Sequence, residues 1–127
     1  MEKVKTSGYA QVNGLNMYYE DYDSGELPLV LIHGGGSTIA STFGNLLPLL
    51  SGIGRMVAGG LQAHSRTSDR VGPESFEQDA DDIAALLGHL NIERANFLGF
   101  SNGGTTTLQI AIRRRGMVNK IIAISAC

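Results

Sequence analysis

Cysteine occurs once in the 127 residues, as Cys127, and tryptophan not at all. A lone thiol allows neither an internal disulfide nor a cysteine metal cluster, so the fold has to rest on its apolar core. Proline is scarce, with 3 residues, and no tract is low in complexity or internally repeated, so no interdomain linker is expected. Long apolar runs are also missing. Segments 28–32 and 121–124 fall far below the ~20 residues that a membrane helix requires. Residues 1–6 mix charges and have no apolar centre, unlike a signal peptide, so cytoplasmic residence is the expectation. Nor is there an excess of positive charge. With a net charge of −2 and one basic run, Arg113 to Arg115, the chain offers no footprint for nucleic acid or anionic lipid.

What is present is an ordinary globular mixture, 43% hydrophobic and 17% charged, which suits one domain over residues 1–127. The 17 glycines cluster, at 34–36, 59–60 and 103–104, as they do where a backbone must turn tightly or approach another closely. Segments 8–13 and 15–21 read as two strands around the hairpin turn Asn13-Gly14. Segment 29–33 is a short buried strand bounded by Pro28 and three glycines. A helix is expected over 41–50, weakened by Gly44 and Pro48, and a short strand over 55–59.

A stronger helix begins after Ser75, which stands at capping-box spacing from Gln78, with Glu74 and Glu77 favouring its positive end. Phe76, Ala80, Ile83, Leu87 and Leu90 share one stripe of it. Asp79, Asp81 and Asp82 fall elsewhere and read as a solvated outer face, not as a metal site; no metal and no cofactor is expected. Strand 95–100, helix 102–115 and strand 118–125 complete an alternation that implies an α/β fold, with a mostly parallel sheet flanked by helices on both faces.

The chemistry centres on Gly99-Phe100-Ser101-Asn102-Gly103-Gly104, a G-x-S-x-G pattern entered from an apolar strand and left by a helix. So sharp a turn forces the central residue into a strained backbone, and the glycines give the clearance that strand and helix need where they nearly touch. Ser101 is thereby pushed out at the carboxyl end of its strand, with amides of the helix start, notably that of Asn102, available to a developing oxyanion. After the first buried strand, His33-Gly34-Gly35-Gly36-Ser37 offers further backbone N–H groups to a negative oxygen. No Lys-Ser/Thr pair follows to make a nucleotide-binding P-loop, and neither glycine cluster has the G-x-G-x-x-G spacing of a dinucleotide site.

Three segments, 33–36, 61–67 and 99–104, resemble in order and spacing the first half of bacterial α/β-hydrolase-fold esterases and their relatives. The similarity covers nearly the whole chain. It implies that Ser101 is a nucleophile, that Gly35 and Asn102 supply the oxyanion-hole amides, and that His33, Gly34, Gly36, Gly99 and Gly103 support them, with a small ester as substrate. The middle segment departs from the pattern, since relatives carry an acid where Gly60 stands and glycines where Ala63 and Ser65 stand. In this fold the acid and the histidine of the triad follow the serine. Here the 26 residues after Ser101 contain neither, and His33, His64 and His89 all precede it. Two readings stay open. One is an impaired serine hydrolase; the other is a non-catalytic ligand-binding or self-assembling module, with the apolar last strand joining a second copy in a homodimer or higher assembly.

Overall fold

A computed structural model describes residues 5–22, 27–50, 54–64, 66–70 and 72–124. The thiol of Cys127 and the expected strand end at Ser125 lie outside them. Strands β1 (Lys5–Val12) and β2 (Leu15–Tyr22) form an antiparallel hairpin. Its turn is Asn13 and Gly14 at φ 49° and 84°, the left-handed pair that matches strand twist in two-residue hairpins. Then come β3 (Leu29–Ile32), α1 (Ile39–Phe43), β4 (Met56–Gly59), α2 (Phe76–His89), β5 (Ala95–Phe100), α3 (Asn102–Arg113) and β6 (Val118–Ile124).

The six strands lie in the order β1-β2-β4-β3-β5-β6. Only the pairs made by β2 are antiparallel; β4, β3, β5 and β6 run parallel. Strand β3 is the point at which the winding reverses, because the chain leaves it for β4 on one side and returns to β5 on the other. Crossovers of one hand that advance in opposite directions put their helices on opposite faces. Two cores result. On one face Ile83, Leu86 and Leu87 of α2 and Ile110 of α3 pack on Val30, Ile32, Val57 and Phe97. On the other, Ile39 and Phe43 of α1 cover Leu31, Met56, Ala58 and Leu98. Each such side chain contributes about 1.5–3 kcal/mol by leaving water.

The helix expected over 41–50 is shorter and starts earlier. Thr38 and Ser41 cap each other's backbone amides, which nucleates α1 two residues upstream. Pro48 has no N–H to donate, and residues 47–50 form a separate 3-10 turn. Helix α3 likewise stops at Arg113 and gives way to a 3-10 turn at Arg115–Met117. At α2 the Ser75 hydroxyl caps Gln78 N, but the Gln78 side chain reaches Asp82 instead of closing a capping box.

The acidic face of α2 is the clearest correction. Asp82 is wholly buried, not solvated, and takes the Arg70 guanidinium at 2.7 Å together with the side-chain amides of Asn13 and Gln78 at 3.1 Å. The reason is that the β1–β2 turn and the loop before α2 wrap over the amino half of the helix, so two sides of it are covered. Only Asp81 behaves as a surface acid, paired with Arg113 and Arg114 at 2.8 and 3.4 Å. Among the described residues no helix is long and apolar enough to cross a membrane.

Candidate active site at the carboxyl ends of β3 and β5

Ser101 sits between the last residue of β5 and the first of α3, at φ 58° and ψ −119°. Side chains rarely adopt that conformation, and it costs on the order of 1–3 kcal/mol. The surroundings that enforce it are specific. A Cβ on Gly99 would collide with Gly103 O and Thr107 Oγ1, and one on Gly103 with the carbonyls of Ile32 and His33, so strand, turn and helix are in direct backbone contact. Ser101 N donates to Ile124 O at 2.8 Å, tying the turn to the end of β6. Serine in the N-cap position usually spends its hydroxyl on the helix. Ser101 does not, and its half-buried side chain has no hydrogen-bond partner among the described residues.

The parallel pairing of Ile32 with Gly99 brings the glycine segment after β3 onto this turn. A Cβ built on Gly34 would lie 3.6 Å from Ser101 Cβ, and the space beside Gly35 is filled by the Asn102 carboxamide. The three glycine amides are not equivalent, in contrast to a loop with all of its donors free. Gly34 N donates to Thr42 Oγ1 at 3.3 Å and Gly36 N to His64 Nε2 at 2.9 Å. The Gly35 amide has no partner among the described residues, and Asn102 N belongs to the first residue of α3, where helix geometry leaves N–H groups unpaired.

Each histidine has a defined task. His33 is completely buried, and burial pushes its imidazole down to about 4, so the ring is neutral at physiological pH. Its Nε2 accepts from Leu61 N at 2.9 Å and its Nδ1 lies 2.8 Å from Gly34 O, which joins the glycine loop to the segment after β4. His64 lies in that segment, its ring 5.1 Å from the His33 ring. His89 is exposed near the carboxyl end of α2, against Tyr19. None of the three is hydrogen-bonded to Ser101.

Ser101 opens on a cavity of about 320 Å³ lined by Gly34, Gly35, Ser37, Ser41, Thr42 and Phe100. The hydroxyls of Ser37, Ser41 and Thr42 form a chain with spacings of 2.6 and 2.7 Å, a polar wall that the sequence reading missed. Its signal was four hydroxyl residues within the six positions after Gly36. A second cavity of about 170 Å³, bordered by Leu61, His64, Glu74, Phe76, Asp79 and Asn102, shares Gly35 with the first. Asp79 Oδ1 is buried there with no hydrogen-bond partner among the described residues. Burial, and after it the Asp82 and Glu74 charges, raise this carboxyl to about 6. No group of metal-binding side chains occurs among the described residues.

The segment that departs from the expected pattern is held by substitutes. Ala63 takes φ 61°, a glycine conformation. Thr67 Oγ1 occupies the space that a side chain on Gly60 would need, donating to Gly60 O at 2.9 Å and accepting from Tyr18 N at 3.0 Å.

A family model described as alpha/beta hydrolase fold matches residues 28–127. The chain is 29% identical over 126 residues to an uncharacterized hydrolase, YugF, of Bacillus subtilis, covering 98% of this chain and 46% of that protein. It is 31% identical over 121 residues to the serine hydrolase BPHL of Homo sapiens, covering 92% of this chain and 42% of that one. A solved structure described among carboxylesterases of Nitrososphaera gargenis superposes with a TM-score of 0.85 at 33% identity, over 96% of this chain and 46% of that chain. The chain thus spans less than half the length of these relatives.

Proposed function

The chain belongs to the alpha/beta hydrolase fold family, and from that membership and the geometry of its turn we propose that it carries the nucleophile and oxyanion portion of a serine hydrolase acting on small carboxylic esters. Ser101 Oγ attacks the ester carbonyl carbon from the 320 Å³ cavity. The carbonyl oxygen, negative in the tetrahedral intermediate, accepts from the amides of Gly35 and Asn102; the ester C–O bond then breaks, the leaving alcohol taking up the proton that Ser101 Oγ gives up, and water hydrolyses the acyl-serine to the acid and free Ser101. The single observation that carries the reading is the strained φ of 58° at a half-buried serine whose hydroxyl is spent on no structural bond among the described residues. The alternation of serine hydrolase and carboxylesterase among its relatives supports the same class.

Among the described residues no base is hydrogen-bonded to Ser101. The 26 residues after Ser101 hold no acid and no histidine, and the three earlier imidazoles are engaged or distant. Loss of the base in such a triad costs about 10⁶ in turnover, while about 10³–10⁴ over water survives from oxyanion stabilisation and binding. The proposal for this chain is therefore slow acylation. A fluorophosphonate probe tests it: covalent mass on Ser101, absent from Ser101→Ala, is the expected result, and an unlabelled Ser101 after exhaustive incubation refutes the nucleophile role.

A second reading, self-assembly, draws on β6. Among the described residues its outer edge is unpaired, with Ile122 and Ile124 57% and 43% exposed. Such an edge is a template for another strand. We propose a second copy as its occupant, β6 against β6. Sedimentation at micromolar concentration is expected to give a dimer that Ile122→Lys dissociates; a monomer for the parent chain ends this reading.

A further inference from the structure

We propose that His64 is a positioning residue of the glycine loop, its neutral imidazole holding Gly36 and thereby aiming the adjacent Gly35 amide, and that protonation of the ring releases the loop. The proposal rests on the oxyanion role given above to Gly35. The geometry leaves the ring one arrangement. Its Nε2 must be the unprotonated nitrogen, because it accepts from Gly36 N at 2.9 Å, and its Nδ1, 2.8 Å from Gln62 O, must carry the hydrogen. A second proton can go only on Nε2, where it points at the Gly36 N–H and turns an attraction into a donor-donor contact.

The surroundings offer the charged ring another partnership. Glu74 Oε1 is 3.9 Å from Nδ1, and Asp79, with its unpartnered Oδ1, borders the same 170 Å³ cavity. The other groups facing the ring are His33, 5.1 Å away ring to ring and kept neutral by burial, and the uncharged Asn102 of α3. Arg70 is committed to Asp82. Carboxylates on one side and an amide donor on the other give the ring two seats, and its charge selects between them. Gly36 itself stands at φ 67°, with nothing within 4 Å of a built Cβ.

Two readouts separate this proposal from the function it rests on. In ¹⁵N NMR of the whole chain, the Gly36 amide is expected to shift with the His64 ring nitrogens in a single pH titration, the ring holding its hydrogen on Nδ1 at high pH. In labelling of Ser101 by a fluorophosphonate, the rate falls as His64 takes up its proton. His64→Gln, whose side-chain oxygen accepts the same amide without titrating, keeps the high-pH rate and loses that fall; His64→Ala is slower than the parent by several-fold to about tenfold at high pH, the worth of one hydrogen bond, and matches the protonated parent at low pH. Any pH dependence that belongs to Asp79 survives in His64→Gln and disappears in Asp79→Asn. A Gly36 amide that ignores the titration of His64, or a His64→Gln variant with the parent pH profile, overturns the proposal. Concerted titration in a chain whose Ser101 never labels would sustain the positioning role and refute the hydrolase reading instead.

Discussion

Gly103→Ala puts one methyl group where β3, β5 and α3 meet. The new carbon falls inside the contact distance of two backbone oxygens, Ile32 O and His33 O. Neither can retreat as a flexible side chain does, because Ile32 is held in the ladder with Gly99 and His33 fixes the glycine loop. Overpacking costs 1–3 kcal/mol where side chains can give way, and this site is expected at the upper end, about 3 kcal/mol. That is a large part of the 5–15 kcal/mol available to a small domain and corresponds to a fall in Tm of about 10 °C. Gly88→Ala is the control. It lies inside α2 with nothing within 4 Å of the added carbon, so alanine is expected to stabilise by about 0.5–1 kcal/mol through the unfolded chain and the helix. Urea unfolding of both variants measures the contrast, and equal midpoints for the two would refute the claim that the turn is built on backbone contact.

Removing strain at Ser101 and at Ala63, two of the four non-glycine residues with positive φ among the described residues, should help stability, with opposite consequences for chemistry. Ser101→Gly is expected to gain about 1–2 kcal/mol in urea while losing all probe labelling, and Ala63→Gly about 1 kcal/mol with labelling intact. Arg70→Ala strands the buried Asp82 carboxylate and should cost about 3–5 kcal/mol, whereas the double change Arg70→Met with Asp82→Leu should cost less than the single one. Asp79 holds its proton more tightly folded than unfolded, so its burial costs nothing in acid and destabilises progressively as pH rises from the ordinary 3.8 to about 6. Asp79→Asn is therefore expected to gain on the order of 1–2 kcal/mol above pH 7, after allowance for partial solvation, and nothing below pH 4; a gain independent of pH would contradict that origin.

The strands and the turn at Ser101 were legible because their signals are local. Residues 95–100 are an unbroken strand pattern delivered straight into a glycine-flanked serine, and the Asn13-Gly14 pair specifies its own hairpin. What stayed hidden depends on contacts far apart in sequence. Asp82 looks like a surface acid until Arg70 and Asn13, 12 and 69 residues away, are brought to it. The loss of two glycine donors follows the same rule, since His64, 28 residues from Gly36, takes one of them. Periodicity cannot report either. For α1 the start lies in the mutual capping of Thr38 and Ser41, a short-range pair whose side chains only the folded backbone brings together.

Gly35 and Asn102 are coupled through their packing. Because the carboxamide of one fills the volume beside the other, neither position is free to drift alone: an added methyl at 35 demands a smaller residue at 102, and with it a wider cavity on the side that Asn102 lines. Lineages that widen the binding space by this route should exchange the two residues as a pair.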